Sequence, residues 1–301
     1  MSITLRLLNG WLRRVEKRRL RNAGIPQLRR AFALQLRLFF HPPRGTAIAH
    51  ETFGHVPCLM IRPRNCIGGR ILLYIHGGGF VFGSPETHSA MAAQLAHRIG
   101  ARVVMPRYRR APETPCPAAP DDIRAVWDAL LASGVAAEDI VIGGDSAGGA
   151  LAFGLIASLC AENAAVPGAV FGLSPLTDLT YSGGSFSSNS GSDVVLPASR
   201  AHELAVLFLR GHRGDAPRVS PLFGDFVGAP PAWITVGDTE ILLDDSRRLV
   251  ARLQSYGVQA TLVERPDYPH VWPLFHNILP EARTTLDDLA LWIRQQQNWA
   301  V

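Results

Sequence analysis

The fold of this chain is decided by the stretch IVIGGDSAGG, residues 140–149. Its first four residues form the short apolar run of a buried strand, and residues 147–162 have helical spacing. Ser146 therefore stands in a G-x-S-x-G pattern where a strand turns into a helix. In this context the pattern predicts a serine nucleophile above the end of the sheet. Ala147, at the helix N-terminus, would offer a backbone N–H to an oxyanion.

A second glycine-rich stretch, HGGGF at residues 76–80, follows an apolar run at residues 71–75. Consecutive glycines allow backbone N–H groups to approach a substrate oxygen closely. A phosphate-binding P-loop is excluded because no Gly-Lys-Ser/Thr follows. His76 is expected to hold the loop through a backbone hydrogen bond rather than to react. The predicted oxyanion donors are Gly77, Gly78, Gly79 and Ala147.

Away from these motifs, short apolar runs alternate with helical patterns. The predicted strands are residues 71–75, 103–106, 140–143, 169–174, 232–237 and 260–264, and residues 46–62 are expected to form an antiparallel hairpin. Helical patterns lie near residues 87–99, 120–132, 147–162, 244–256 and 281–296. Alternation of this kind predicts a mostly parallel sheet covered by helices on both faces, the α/β class.

The first forty residues predict two amphipathic helices instead. The first has apolar residues at positions 3, 7, 8, 11, 12 and 15, and the second has Leu28, Phe32, Leu36 and Phe39 at helical spacing. We expect residues 1–45 to form a helical cap and residues 46–301 to form the catalytic domain. An insertion at about 178–220, with a helix near 198–210, interrupts the alternation and is expected to complete the cap.

Charge is unevenly distributed along the chain. The net charge is +5, but residues 1–37 hold ten Lys and Arg against Glu16 alone, which leaves +9 there and −4 elsewhere. Such an arm could meet anionic lipid or nucleic acid, although a charge run more often forms a solvated helix face. We expect no nucleic-acid partner.

The four cysteines, Cys58, Cys66, Cys116 and Cys160, are scattered and show no metal-ligand spacing. This usage indicates reduced thiols, no metal site and a cytoplasmic location. No apolar stretch reaches the length of a membrane span, so stable membrane insertion is not expected. The sequence leaves a homodimer open.

Four motifs in order resemble the hormone-sensitive-lipase-like family of bacterial esterases. They are HGGGF at 76–80, YRRAPE at 108–113 followed by PAA at 117–119, GDSAGG at 144–149 and SPLTDL at 174–179. The resemblance implies an eight-stranded α/β-hydrolase sheet with an N-terminal helical cap, hydrolysis of short- to medium-chain acyl esters, and no cofactor.

The nucleophile's partners should follow it in the order acid, then histidine. His270, in the loop after the last predicted strand, is the expected general base, with His276 as a nearby alternative. The family usually has D-P-L-x-D at the acid, and that alignment places Glu240 at the catalytic position, thirty residues before His270. Asp238 is the alternative acid, and Asp244 is expected to cap the next helix.

The predicted function is therefore a serine carboxylesterase acting on a small ester. An amidase or deacetylase could use the same site, and a non-catalytic ligand receptor is a third hypothesis, disfavoured because serine, acid and histidine are all present. Aromatic residues near the motifs are candidates for the substrate pocket. We predict Phe80, Phe82 and Trp272 as substrate-binding residues, and Trp11, Phe32 and Leu179 could also shape the pocket.

Overall fold

The structure is a computed structural model that describes residues 2–299, except the side chains of residues 36–39. It contains one eight-stranded sheet in the order β1-β2-β4-β3-β5-β6-β7-β8. The strands are β1 (Ala47–Phe53), β2 (Val56–Arg62), β3 (Ile71–Ile75), β4 (Arg102–Pro106), β5 (Ile140–Asp145), β6 (Ala169–Leu173), β7 (Ala232–Gly237) and β8 (Ala260–Arg265).

The sheet is parallel from β4 onward, and β2 pairs antiparallel with both β1 and β4, so within the described part of the chain β2 alone runs against the other strands. The strands β3, β5, β6 and β7 are buried along their whole length, and β4 is buried except at Arg102, as expected for apolar strands covered on both faces. β5 lies centrally, with Ile75 opposite Gly144 and Asp145 opposite Leu173. The carboxyl ends of β3, β5 and β6 therefore meet at one edge, where ligands bind in such sheets.

Helices cover both faces of the sheet, as the sequence pattern predicts. They are α1 (Ile3–Trp11), α2 (Lys17–Asn22), α3 (Ile25–Phe39), α4 (Pro85–Ile99), α5 (Ala118–Ala132), α6 (Ala147–Ala161), α7 (Ser185–Ser188), α8 (Ala198–Leu209), α9 (Leu243–Ser255) and α10 (Pro280–Gln297). One face packs against α4 and α10, and the other packs against α5, α6 and α9. The predicted α/β fold with a mostly parallel sheet is thus confirmed.

At the N-terminus, α1 and α2 form one continuous rod joined by a π turn over Leu12–Glu16, where Lys17 N–H donates to Leu12 O. The wider turn adds a residue and keeps Leu12 and Leu20 on the buried side with Leu8. The rod packs its apolar stripe on a small core that contains Trp272 and Leu279. The second predicted stripe is described through Leu28 and Phe32, but Leu36 and Phe39 fall outside the described side chains.

The differences from the predicted boundaries are small but informative. β5 continues to Asp145, so the strand reaches the residue next to Ser146. β6 ends at Leu173, one residue early, because Ser174 adopts a left-handed backbone with φ +48°. Within residues 2–299, no helix combines the length and apolar composition that a bilayer crossing requires.

Candidate active site

Ser146 occupies a strained turn between β5 and α6. Its φ of +51° and ψ of −120° lie where residues with a side chain are rare and costly. The turn is possible because its neighbours are glycines. A Cβ at Gly144 would lie 2.5 Å from the Gly148 carbonyl carbon, and one at Gly148 would lie 2.1 Å from Ile75 O. The sequence thus folds into a tight elbow that holds the serine at the cavity.

The loop after β7, residues 237–241, is here called the glutamate loop, and it brings Glu240 to His270. Glu240 Oε2 lies 2.6 Å from His270 Nδ1, and both side chains are buried. Glu240 Oε1 accepts hydrogen bonds from Ser174 Oγ and from Gly237 N–H, each at 2.7 Å. A carboxylate held by three partners has a fixed orientation. It presents one oxygen to the imidazole and leaves His270 Nε2 for another partner.

The electrostatic setting of His270 favours its charged form. Burial alone would lower the pKa of His270, but the charge and hydrogen bond of Glu240, helped by Asp193, raise it above its usual value. His270 and Ser146 line the same cavity. An imidazole with a raised pKa that shares a cavity with a serine is a candidate general base.

The alternative acid and base lie elsewhere. Asp238 Oδ1 accepts from Asp267 N–H at 2.7 Å and so links two loops. His276 is buried beside the Phe40 ring, and neither ring nitrogen has a hydrogen-bond partner among the described residues. Burial lowers the pKa of His276 to about 4. The expected helix cap at Asp244 is wrong: α9 begins at Leu243 without a side-chain cap, and Asp244 instead accepts from Ser185 N–H.

Residues 76–83 are here called the glycine loop, and one of its predicted donors is already engaged. Gly77 N–H donates to Asp145 Oδ1 at 3.0 Å, so it cannot also bind a substrate oxygen. Gly78 and Gly79 line the cavity with φ of +114° and +58°. A Cβ at Gly78 would lie 2.3 Å from Phe82 O. Ala147 is buried as the first residue of α6, next to Ser146. The geometry therefore removes Gly77 from the predicted set.

A buried polar cluster supports this loop. Asp145 Oδ1 also accepts from Tyr74 Oη at 2.7 Å, and Asp145 Oδ2 lies 3.3 Å from His88 Nε2. His76 Nδ1 lies 2.8 Å from Gly77 O, in agreement with the expected backbone contact, and Tyr108 Oη donates to His76 O at 2.8 Å. Burial, then the charge of His88, lowers the pKa of His76 to about 3. His76 is thus a neutral structural residue.

A segment of the insertion holds the glutamate loop from outside. Residues 189–193 are here called the clasp. Asn189 Nδ2 of the clasp donates hydrogen bonds to Asp238 O and Glu240 O, both at 2.9 Å. Asp193 Oδ2 accepts from Ile241 N–H at 2.9 Å. Burial, then the charge of Glu240, raises the pKa of Asp193. Sequence reasoning missed the clasp because none of its residues belongs to a motif.

The clasp is in turn bound by the N-terminal rod. Lys17 Nζ donates to Ser190 O at 2.9 Å and to Asp193 O at 2.5 Å. Burial, partly offset by Asp193, lowers the pKa of Lys17. Arg13 Nη2 adds a hydrogen bond to Ser192 O at 3.2 Å. A hydrogen-bonded path therefore runs from the N-terminal rod, through the clasp, to the residue that contacts His270.

Above Ser146 lies a cavity of about 450 Å³. Phe80 and Phe82, the predicted substrate-binding residues, line it together with Trp11, Phe32 and Leu179. The Phe82 ring meets the Phe32 ring edge to face, with centroids 5.5 Å apart.

Trp272 does not line the cavity. It is fully buried in the core beneath the N-terminal rod, and its Nε1 donates to Thr285 Oγ1 at 2.9 Å. The placement of Trp272 in the substrate pocket is therefore corrected. A buried tryptophan with a hydrogen-bonded indole is a core residue.

Among the described residues, no cluster of three or more His, Cys, Asp or Glu side chains could hold a metal ion. The four cysteines are free thiols. Ser146 and His270 line the cavity, and Glu240 contacts His270.

Comparison with known proteins agrees with this geometry. A family model of the alpha/beta hydrolase fold matches residues 72–274. An acetyl-hydrolase of Streptomyces hygroscopicus is 35% identical over 243 residues, which cover 81% of each chain. An esterase of Acinetobacter venetianus is 36% identical over 79% of this chain and 83% of that protein. A solved structure of an esterase from the bacterial hormone-sensitive lipase family is 35% identical, with a TM-score of 0.93 over 99% of both chains.

Proposed function

Because the chain belongs to the α/β-hydrolase family of bacterial hormone-sensitive-lipase-type esterases and is a carboxylic ester hydrolase, we propose that Ser146, His270 and Glu240 form its catalytic triad. The observation that carries this proposal is the 2.6 Å contact between Glu240 and His270, at the cavity that Ser146 also lines. A strained serine beside a carboxylate-oriented imidazole is the arrangement that acyl transfer requires.

In the proposed reaction, His270 Nε2 takes the proton of Ser146 Oγ as the oxygen attacks the ester carbonyl. Glu240 holds Nδ1 protonated and stabilises the imidazolium that forms. The N–H groups of Gly78, Gly79 and Ala147 bind the oxyanion, while Gly77 anchors the loop. His270 then protonates the leaving alcohol. Water, activated by the same imidazole, attacks the acyl-enzyme, and the acid is released from Ser146.

We propose acyl groups of short to medium length as substrates. The cavity is mostly apolar and near the lower end of the volumes usual for small-molecule sites. The acetyl-hydrolase relative supports the short end of this range. We also propose that residues 1–45 and the insertion act as a cap, because α1, α3 and α8 contribute Trp11, Phe32 and Leu204 to the cavity lining.

The test is a panel of p-nitrophenyl esters from acetate to dodecanoate, with a matched anilide, assayed on wild type and Ser146→Ala. We expect a rate maximum at the shorter chains, little anilide cleavage, and loss of nearly all of a ~10⁶-fold rate enhancement in the variant. Labelling by a fluorophosphonate, mapped by mass spectrometry, should modify Ser146. Retention of more than a few per cent of activity, or a label elsewhere, would contradict the proposed nucleophile.

A further inference from the structure

The outer side of the N-terminal rod exposes large apolar side chains. Ile3, Leu7, Trp11 and Val15 recur every four residues and are 70%, 71%, 43% and 37% exposed. An adjacent side of the same rod buries Leu5, Leu8 and Leu12, so the rod packs on the body without burying the stripe. Single exposed apolar residues are ordinary, but a contiguous stripe marks an interaction site.

The N-terminal segment also exposes arginines whose charge is not neutralised by a described acidic side chain. Five exposed arginines form no ion pair with any described carboxylate: Arg6, Arg14, Arg18, Arg21 and Arg30. The one acid of the segment, Glu16, is bound to Arg19 at 3.0 Å. The rest of the chain carries net negative charge. Positive charge and exposed apolar area therefore coincide in the N-terminal segment.

We propose that this basic apolar face, comprising the stripe and the five arginines, docks the protein peripherally on an anionic membrane surface. A helix with arginines beside a stripe of Leu, Ile and Trp has the composition of helices that lie in the bilayer interface. The arginines are attracted to anionic headgroups, and the stripe enters the region between headgroups and acyl chains.

The charge of the face argues against a second copy that meets it through its own N-terminal segment, and the exposed apolar stripe argues against a nucleic acid. A second copy would bring a segment of the same +9 charge against the face and repel it. A nucleic acid would bind the arginines but leave Ile3 and Leu7 exposed. An anionic bilayer offers charged headgroups to the arginines and an apolar region to the stripe.

The face also borders the cavity, because Trp11 belongs to the stripe and lines the cavity as well. If the proposed function holds, an ester dissolved in the bilayer would lie next to the site entrance. The docking itself does not depend on that function, since none of the five arginines or the stripe residues Ile3, Leu7 and Val15 lines the cavity.

The experiment is co-sedimentation of the full chain, carrying Ser146→Ala so that no lipid is hydrolysed, with two kinds of vesicle. One kind is phosphatidylcholine alone, and the other contains about one-third phosphatidylglycerol. We expect binding to the anionic vesicles to be at least about tenfold stronger and to weaken as salt screens the charges. Ile3→Ser/Leu7→Ser and Arg14→Gln/Arg18→Gln should each reduce the partition by about tenfold.

Matched controls are Val206→Ser, which removes another apolar side chain that is 70% exposed, and Arg62→Gln/Arg265→Gln on exposed strand ends. Both should leave vesicle binding unchanged. On the wild-type background, every variant should keep its circular dichroism and its turnover of a water-soluble ester. Equal binding to both vesicles, or rod variants that bind like the controls, would overturn the proposal. So would a dimer, seen by sedimentation equilibrium, that the Ile3→Ser/Leu7→Ser variant abolishes.

Discussion

The two loops beside Ser146 are held in different ways. The glycine loop is anchored inside the catalytic body, where Asp145, next to the serine in sequence, accepts Gly77 N–H, and Tyr108 binds His76 O. The glutamate loop is held by the clasp, which Lys17 binds from a helix more than 170 residues away in sequence. The glycine loop is therefore anchored at neighbouring strand ends, whereas the glutamate loop, which Ser174 and Asp267 also bind, has an additional support that comes from the docked N-terminus.

This difference predicts which of the two loops a substitution in the N-terminal rod should affect. Arg29 of α3 does donate to the glycine loop, but it binds Val81 O and not the consecutive glycines at residues 77–79. Disturbing the N-terminal rod should thus loosen the acid more than the oxyanion donors. Substitutions of Glu240, of Asp145 and of Lys17 can separate these contributions.

The largest effect is expected for Glu240→Gln. The amide keeps the shape but loses the charge that holds the histidine tautomer and stabilises the imidazolium, and by triad precedent turnover should fall by up to ~10⁴-fold. Asp238→Asn is the matched control two residues away, and it should change turnover far less because the hydrogen bond of the Asp238 carboxylate goes to Asp267 N–H and not to His270. Both variants are compared by kcat at neutral pH, with circular dichroism for the fold. A dead Asp238→Asn with an active Glu240→Gln would reverse the assignment.

The same substitution should move the pH profile. His270 accepts a proton only when neutral, and its pKa is raised, so kcat/KM of the wild type should rise with pH through a value above the ordinary 6.5. In Glu240→Gln the opposing effect of burial remains without the carboxylate charge, so the acid limb should shift to lower pH. The profile is measured with a neutral ester on both proteins. A limb that stays in place would show that another group controls the rate.

A smaller effect is expected for Asp145→Asn. The amide can still accept Gly77 N–H, but it loses the charge facing His88 and weakens the bonds that fix the glycine loop. Removing an oxyanion donor outright costs 10²–10³-fold, so displacing one should lower kcat by about tenfold with little change in KM. Tyr74→Phe removes a single donor to the same carboxylate and should cost less. An unchanged kcat in Asp145→Asn would show that the loop needs no charged anchor.

The sequence predicted those parts of the molecule whose functional groups come from contiguous residues. The glycine loop, the serine elbow and the strand pattern each occupy one short stretch, and Glu240 was predicted from the alignment of residues 240–244 with the family's D-P-L-x-D motif. The occupation of Gly77 N–H was not predictable, because it depends on the register that places Ile75 opposite Gly144. The core position of Trp272 likewise depends on where the N-terminal rod packs.

The clasp was missed for a related reason. Asn189 and Asp193 form hydrogen bonds with backbone groups of a loop about fifty residues away. Every residue type offers a backbone carbonyl, so the residue types of that loop do not reveal such a partner. Contacts of this kind have neither periodicity nor a motif. They are visible only when the chain is folded.

The smallest effect, and the sharpest test of the comparison, is expected for Lys17→Met. Methionine fills the buried space but cannot donate to Ser190 O or Asp193 O, so two carbonyls lose a charge-assisted partner. The clasp should loosen, and through it the hold on Glu240, so that kcat falls by a few fold while KM for a short ester stays nearly constant. Because a poorly held carboxylate supports the imidazolium less well, the acid limb of the pH profile should shift slightly downward, in the same direction as in Glu240→Gln. Arg13→Gln is the matched control, since Arg13 donates to the same clasp from an exposed position and should have a smaller effect. If Lys17→Met lowers stability but leaves kcat and the pH profile unchanged, the rod merely covers the site, and the two loops do not differ in their dependence on it.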